Sequence, residues 1–117
     1  MPVEAECSFC RIVAGELPAD VVHRTEHTVA FRDIEPQAPV HVLVVPRRHV
    51  ENAATVTHDD AEVVADLVVA ARQVAVTLGV AEGGYRLVMN VGEDALNSVP
   101  HLHVHVLGGR RLGWPPG

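Results

Sequence analysis

Apolar residues along the chain follow two patterns, and each pattern predicts a different kind of element. Short runs rich in valine and other β-branched or aromatic residues, bounded by turn residues, predict strands. The predicted strands cover residues 21–24, 28–31, 42–45, 85–91 and 101–107. The first two are separated by only three residues, which predicts a hairpin. Residues 42–45 are uninterrupted apolar positions, typical of a strand buried on both faces.

A second apolar pattern has helical spacing. Thr57 is followed three residues later by Asp60, an arrangement that can cap a helix N-terminus. Apolar side chains then recur at steps of three and four residues: Val63, Leu67, Ala71, Val74 and Leu78. Gly79 supplies the stop signal. A long helix with one apolar face is therefore predicted, and a shorter helix is predicted over residues 7–14, ended by Gly15.

Strands joined by mostly short connections, with one long helix inserted, predict an α+β fold with an antiparallel sheet of about five strands. The chain has 117 residues, of which 48% are hydrophobic. That length suits one compact core and is short for two. We therefore expect residues 1–117 to form a single domain.

Charge and hydropathy exclude several kinds of partner. Nine basic residues stand against 15 acidic ones, a net charge of −6, so we expect no basic face for nucleic acid. The most apolar stretch, residues 63–76, is interrupted by Asp66 and Arg72 and predicts no membrane span. Residues 1–6 show no secretory signal. These features predict a cytoplasmic protein.

Three of the eight histidines, His101, His103 and His105, alternate with apolar residues near the C-terminus. On a strand, this alternation places the three imidazoles on one face, about 6.6 Å apart, while the apolar residues enter the core. An ordinary solvated face would be served equally well by Thr, Lys or Glu. The cluster therefore predicts chemistry rather than surface polarity.

Two kinds of chemistry suit such a row of imidazoles. Neutral imidazoles are good metal ligands. An imidazole can also attack phosphorus and form a covalent intermediate. Ser98 and Asn90, close to the histidines in sequence, are neutral hydrogen-bonding residues and not carboxylates, which favours an anionic, phosphate-like ligand over a metal ion.

The alternating histidines resemble the signature of the histidine triad (HIT) superfamily. Residues 31–41 (FRDIEPQAPVH) and 42–49 resemble another block of that superfamily. Residues 108–110 (GGR) and 114–117 (WPPG) resemble its Hint branch, the histidine triad nucleotide-binding proteins. Several separated blocks occur in the right order, so the resemblance covers nearly the whole chain from Cys7.

This resemblance implies a homodimer that extends the sheet across two subunits and hydrolyses purine nucleoside 5′-monophosphoramidates. His103 matches the nucleophile, which would carry the nucleotide covalently. His105 and His41 match residues that bind the phosphate and assist proton transfer. Ser98 and Asn90 match groups around the phosphate and the leaving group. The chemistry itself requires no cofactor.

The nucleotide pocket follows from the same resemblance. Asp33 matches the acid that accepts hydrogen bonds from the ribose hydroxyls. Phe9, Ile12, Phe31 and Ile34 match the apolar slot around the base. Such a slot holds a flat base without strong discrimination, so a loose preference among purines is expected.

Cys7 and Cys10 have the spacing of a zinc ligand pair, but two thiols alone are a weak signal. By resemblance to zinc-binding bacterial members of the superfamily, His49 and His101 would complete a structural zinc site. Two inert buried thiols are the alternative. A redox pair is disfavoured because no βαβ unit surrounds it.

Two features bear on substrate choice. Leu96 and Asn97 stand where the Hint branch usually has Gly-Gln, so we expect Leu96 to bend outward or against the leaving group. The tail, residues 108–117, contains the only tryptophan, Trp114. By resemblance, this tail lies beside the active site of the partner subunit.

Other functions remain open from the sequence. Within the same superfamily, the chain could hydrolyse dinucleoside polyphosphates or transfer nucleotides. It could also be a nucleotide-binding or scaffold protein with incidental catalysis. Outside the superfamily, the histidines could serve a metal-dependent hydrolase.

Overall fold

The computed structural model describes residues 7–117, so residues 1–6 and the prediction of no secretory signal there lie outside it. The strands are β1 (Val21–Arg24), β2 (Thr28–Arg32), β3 (Val40–Pro46), β4 (Tyr85–Val88) and β5 (Val104–Gly108). The α-helices are α1 (Ser8–Val13) and α2 (Ala61–Thr77), and short 3-10 turns occur at Ala53–Thr55, His58–Asp60 and Glu93–Ala95. Among the helices of this described part, none is both long and apolar enough to cross a membrane.

The five strands form one sheet in the order β1-β2-β3-β5-β4, with antiparallel pairing between all neighbours. The predicted α+β fold, with one long and one short helix, is confirmed. β3 is central and almost entirely buried, as its run of apolar residues predicts.

The sheet separates two apolar clusters, and each helix covers a different face. On the α2 face, the buried side chains include Val42, Val44, Leu67, Ala71, Val74, Val104 and Val106. On the α1 face, they are Cys7, Phe9, Cys10, Val29, Phe31, Leu43 and Val45. α1 has only six residues. This short helix covers only part of that face of the sheet, and the functional side chains lie on the remaining part.

The long helix begins differently from the prediction. Thr57 and Asp60 form the predicted capping box, but they cap a 3-10 turn, and the α-helix itself begins at Ala61. The helix ends at Thr77, and Gly79 has a φ of 78°, which suits a glycine after a helix. The predicted apolar stripe does face the sheet.

The last two strands are offset from their predicted bounds. β4 ends at Val88 and not at residue 91, and β5 begins at Val104 and not at residue 101. β5 pairs with β3 from Val44↔Val104 onward, and β3 ends at Pro46. A proline cannot donate to the ladder, which accounts for the end of the pairing here. His101 and His103 therefore precede the strand, and only His105 lies within it.

Candidate active site and metal centre

Three imidazoles meet on the α1 face of the sheet, near its centre. β3 carries His41, and β5 carries His105, which lies opposite Leu43. The His41 Nε2 and His105 Nδ1 atoms are 2.9 Å apart. The ring centroids of His103 and His105 are 5.0 Å apart. His41 and His103 are buried and His105 is half-buried, so the cluster is largely removed from solvent but remains accessible at His105.

A hydrogen bond to the backbone fixes the tautomer of His103. Its Nδ1 lies 2.7 Å from the carbonyl oxygen of His101. A carbonyl oxygen only accepts, so Nδ1 must carry the proton and donate it. In the neutral ring, Nε2 then keeps its lone pair, which is the property that an attacking nucleophile needs.

The tautomers of His41 and His105 follow in the same way. The backbone N–H of Gln37 donates to His41 Nδ1 over 3.0 Å, so His41 carries its proton on Nε2. That Nε2–H faces His105 Nδ1 at 2.9 Å, with Asp33 Oδ2 3.4 Å away. Neutral His105 accepts on Nδ1 and presents an Nε2–H. The two rings form a chain along which a proton can move.

Burial keeps these rings neutral. Removal from water lowers the pKa of His41, although the Asp33 carboxylate acts in the opposite direction. Burial, together with repulsion from His103 and His41, lowers the pKa of His105 to about 4. At neutral pH each ring therefore offers one N–H and one lone pair, as the hydrogen-bond chain requires.

Three of the four predicted base-slot residues lie together. Phe9 and Phe31 are buried, with ring centroids 5.4 Å apart in an edge-on arrangement. Ile12 packs against the same cluster. Phe9 also meets His103 edge-on, with centroids 5.2 Å apart. The aromatic cluster therefore adjoins the imidazole whose Nε2 is free.

The fourth predicted slot residue lies apart from this cluster. Ile34 is 95% exposed, beside Asp33 in the turn between β2 and β3. Asp33 Oδ1 accepts the backbone N–H of Glu35 over 2.8 Å, which holds the turn. Its other oxygen, Oδ2, faces His41. Asp33 thus joins the histidine cluster, whereas Ile34 is left at the surface.

The two predicted neutral residues come from the loop between β4 and β5. Asn90 lies two residues beyond the end of β4 and is half-buried. The register of β4 and β5 ends with Val88 opposite His105, two residues before Asn90 in the chain. Ser98 is exposed. The roles of Asn90 and Ser98 stay predictions.

A second cluster brings together the four residues predicted to bind metal. The Nδ1 of His101 lies 3.3 Å from Cys7 Sγ and 3.4 Å from Cys10 Sγ. The Nδ1 of His49 lies 3.2 Å from both Cys10 Sγ and His101 Nδ1. All four donor atoms are within 4.8 Å of one another. In a tetrahedral zinc site, neighbouring donors are about 3.3–3.8 Å apart, given the usual bond lengths.

The protonation of His101 also suits a metal ligand. Its Nε2 donates to the carbonyl oxygen of Pro46 over 2.9 Å, which leaves the lone pair on Nδ1, among the sulfurs. Burial is the main cause that lowers the pKa of this ring to about 4, and positive charge on His49 or His103 would lower it further. Two sulfur and two nitrogen donors form a set that suits zinc. These residues therefore fit a zinc ion.

Sequence reasoning missed the backbone groups that set these tautomers. They are the N–H of Gln37 and the carbonyl groups of Pro46 and His101. Every residue has a backbone carbonyl and every residue except proline has a backbone N–H, so their use leaves no side-chain signature. Only the end of β3 at Pro46 was marked in the sequence, by the proline itself.

The loop before the histidines places Leu96 outward, one of the two expected arrangements. Leu96 has a φ of 61° and a side chain that is 85% exposed. Two backbone hydrogen bonds close the loop, from Leu96 N–H to Glu93 O at 2.9 Å and from Asn97 N–H to Gly92 O at 3.1 Å.

Comparison with known proteins gives consistent matches. A family model described as the HIT domain matches residues 14–112. An uncharacterised HIT-like protein of Synechococcus elongatus is 42% identical over 109 residues, which cover 93% of this chain and 95% of that protein.

Two solved structures show the same fold. A HIT family hydrolase from Legionella pneumophila superposes with a TM-score of 0.93 at 46% identity, covering 96% of this chain and all of that chain. A histidine triad nucleotide-binding protein from Candida albicans gives a TM-score of 0.80 at 29% identity, covering 94% of this chain and 83% of that one.

Proposed function

Because the chain belongs to the HIT domain family, we propose that it hydrolyses purine nucleoside 5′-monophosphoramidates, as a member of the Hint branch. At the coarser level, it is similar to a protein described as a HIT family hydrolase. The observation that carries the finer proposal is the tautomer of His103, whose Nδ1–H is held by a backbone carbonyl so that Nε2 is free to attack phosphorus.

The first step cleaves the P–N bond. His103 Nε2 attacks phosphorus, the new N–P bond forms, and the electron pair of the P–N bond leaves with the amine. The amine must gain a proton as it leaves. His105 is the donor: the negative charge of the bound substrate raises the pKa of that ring, so that it takes up a proton from solvent, and the resulting imidazolium returns to the neutral ring when it gives a proton to the amine.

The second step releases the nucleotide. Water attacks phosphorus, the bond to His103 breaks, and His103 regains its lone pair. The water proton passes to His105, the ring that lost one in the first step. The contact between His41 Nε2 and His105 Nδ1 holds the His105 ring in position. The products are a nucleoside monophosphate and a free amine, and the enzyme returns to its starting state.

The nucleoside would lie on the α1 face, between the turn after β2 and the aromatic cluster. Asp33 would accept hydrogen bonds from the ribose, with Phe9, Ile12 and Phe31 against the base. Ile34, at the rim, would close on the base only when a nucleotide is bound. Asn90 and Ser98 would contact the phosphate and the leaving group.

The decisive experiment traps the covalent intermediate. The protein is mixed with an α-32P-labelled adenosine phosphoramidate and quenched within one turnover. The wild type should retain acid-labile label, and His103→Ala should retain none. His58→Ala, which changes an exposed histidine on the other side of the sheet, is the matched control and should label like the wild type. Product formation without any trapped label would argue against the covalent route.

The other candidate functions give different outcomes. A dinucleoside polyphosphate hydrolase would show a higher kcat/KM for diadenosine polyphosphate than for the phosphoramidate. A nucleotide-binding or scaffold protein would bind nucleotide but leave no label on His103. A metal-dependent hydrolase would lose its activity after exhaustive chelation.

We also propose that Cys7, Cys10, His49 and His101 hold a structural zinc ion. When bound, zinc supplies a link between α1, the segment after β3 and the segment before β5. His101 would then serve as a ligand and not in catalysis, while its carbonyl orients His103. Cys7 and Cys10, both buried, are not joined by a disulfide, as a reducing, cytoplasmic location would require.

The molecular surface supports a homodimer. β4 lies at the edge of the sheet, where backbone groups remain open for another strand. Exposed apolar side chains occur on β4, just after it and on α2: Leu87, Met89, Val91, Val68, Val69 and Val76. In a dimer built on this edge, the tail with Trp114 would lie beside the partner's active site. Residues 1–117 would be one HIT domain per subunit.

A further inference from the structure

The segment after β5 contacts the turn between β2 and β3, next to the histidine cluster. Gln37, in that turn, is hydrogen-bonded through both of its backbone groups. Its N–H donates to His41 Nδ1 over 3.0 Å, and its carbonyl oxygen accepts a hydrogen bond from the Arg110 guanidinium over 2.8 Å. One residue of the turn therefore connects an arginine that lies outside the cluster to the imidazole whose tautomer it sets.

A glycine allows the chain to make this contact. Gly108 ends β5 opposite Val40, the first residue of β3, so the residues after β5 lie beside those before β3. Gly109 has a φ of 92°, and a Cβ at this position would lie only 2.9 Å from Pro39 Cβ. Both the positive φ and the close approach require glycine. The chain can therefore leave the sheet here and bring Arg110 to the turn.

The charge of Arg110 is directed to backbone carbonyl groups and not to a carboxylate. The protein has more acidic than basic residues, yet among residues 7–117 Arg110 forms no ion pair. Its guanidinium donates to the carbonyl oxygens of Gln37 and Arg111. A charged donor makes a stronger hydrogen bond than a neutral one, and the planar guanidinium donates in fixed directions. Arg110 is thus suited to orient Gln37.

The orientation of Gln37 matters because its N–H decides where His41 carries its proton. Without this donor, His41 could carry the proton on Nδ1 instead. The lone pair of His41 Nε2 would then face His105 Nδ1, 2.9 Å away. Either two lone pairs repel, or His105 moves its own proton to Nδ1. Both outcomes change how His105 is held and which of its nitrogens carries the proton.

The other end of the same turn is held without Arg110. The backbone N–H of Asp33 donates to the carbonyl oxygen of His41 over 3.0 Å, and Asp33 Oδ1 accepts the N–H of Glu35 over 2.8 Å. Loss of the Arg110 contact should therefore leave Asp33, the proposed ribose acceptor, in place. An effect on proton transfer can thus be separated from an effect on nucleoside binding.

We propose that Arg110 is a positioning residue for the phosphoramidase reaction. Its guanidinium holds the Gln37 carbonyl, which keeps the Gln37 N–H on His41 Nδ1 and fixes the ring that holds His105. In this role Arg110 acts through Gln37 and His41 and makes no contact with substrate. This inference rests on the proposed function and adds to it a residue that orders the proton-transfer groups from outside the site.

The first experiment measures the tautomer of His41. In protein labelled with 15N-histidine, protonated and unprotonated ring nitrogens have well separated NMR shifts, and a His41→Gln variant assigns the His41 signals. Above neutral pH, the wild type should show an unprotonated His41 Nδ1. Arg110→Ala should move this signal towards the protonated shift. Arg111→Ala removes the neighbouring exposed arginine but keeps the carbonyl that Arg110 contacts, so it should retain the wild-type shift.

The second experiment measures steady-state kinetics with an adenosine 5′-phosphoramidate. Arg110→Ala should lower kcat about tenfold and change KM less than about threefold, because proton transfer is affected and Asp33 is not. Arg110→Lys keeps a charged donor and should restore most of kcat and of the His41 shift. Arg24→Ala, which removes an exposed arginine at the opposite end of the strands, should leave kcat and KM unchanged. Thermal unfolding checks that each variant is folded.

The outcomes separate this proposal from the proposed function. An unchanged His41 Nδ1 shift in Arg110→Ala would overturn the positioning role, even if activity fell. A salt-dependent rise in KM with kcat unchanged would also overturn it, since this would indicate direct attraction of the anionic nucleotide. If the wild type does not cleave the phosphoramidate, the proposed function is overturned, and the His41 shift alone then decides whether Arg110 sets the tautomer.

Discussion

At the scale of single residues, backbone groups decide which imidazole nitrogen can act. His41, His101 and His103 each have one ring nitrogen hydrogen-bonded to a backbone amide or carbonyl. In the proposed function, the other nitrogen of each ring has a defined role: proton donor for His41, metal ligand for His101 and nucleophile for His103. A change that preserves the ring but alters these contacts should therefore change activity.

His41→Ala tests the hydrogen-bond chain. Without His41 Nε2–H, His105 loses the donor that holds its Nδ1. We expect kcat for the phosphoramidate to fall about 10²-fold with little change in KM, since proton transfer is affected more than binding. Steady-state kinetics measure both, and His27→Ala is the control at an exposed histidine. A rise in KM alone would contradict the role in proton transfer.

The lowered pKa of His105 predicts a pH-dependent stability. In the unfolded chain its pKa is near 6.5, and in the folded protein it is about 4. As the pH falls from 6.5 towards 4, the unfolded state binds more protons, so folding stability decreases. The free energy of unfolding, measured with urea, should be about 1–2 kcal/mol lower at pH 5 than at pH 7.5 because of His105, whose ring is partly exposed. His105→Gln should reduce the difference, whereas the surface change His27→Gln should not.

At the scale of elements, α1 is too short to be a stable helix on its own, so it depends on its packing against the sheet. α1 has six residues, and its N-cap is Cys7, whose Sγ accepts the N–H of Cys10. A metal shared with His49 and His101 would fix this helix and, with it, Phe9 beside His103.

The zinc site should therefore affect both stability and base binding. Protein purified without a His-tag should contain about one zinc per chain, and Cys10→Ser should lower both the zinc content and the Tm. Elemental analysis and thermal unfolding with and without chelator are the measurements. Substoichiometric zinc together with an unchanged Tm after chelation would argue against the site. Ser8→Ala, at an exposed position of the same helix, is the control.

The start of α2 depends on one carboxylate. Asp60 accepts the backbone N–H of Thr57 and pairs with Arg48, which follows β3. These contacts hold the pKa of Asp60 below its usual value. Asp60→Ala should lower the Tm by several degrees, whereas Asp59→Ala, in the same turn but exposed, should change it little. If both changes lowered the Tm equally, the hydrogen bonds of Asp60 would contribute no more to stability than an exposed charge does.

At the scale of the whole molecule, the open edge of β4 predicts the assembly state. Leu87→Asp adds a charge to an exposed apolar residue on that edge, which would be buried in the dimer. We expect the wild type to sediment as a dimer and Leu87→Asp to sediment as a monomer at micromolar concentration. Ala19→Asp, near the opposite edge, should remain dimeric. A monomeric wild type would contradict both the proposed dimer and the proposed position of the tail beside the partner's active site.

The type and order of the helices and strands, and with them the fold class, could be predicted from the sequence alone, because strand and helix periodicities and capping signals are local. The capping box at Thr57 and Asp60 and the buried strand β3 are examples. Strand ends were less well determined, because the end of β5 pairing depends on Pro46 in another strand.

Which groups lie next to one another is known only from the three-dimensional structure. It placed Gln37 N–H beside His41, and it placed Cys7 and Cys10 beside His101, more than 90 residues away in sequence, an arrangement that the family resemblance implied but the Cys spacing alone left open. It also put Leu96 in a strained, exposed conformation and left Ile34 at the surface. Such contacts depend on the packing of distant segments and on backbone groups common to nearly all residues, so no local pattern of residue types can specify them.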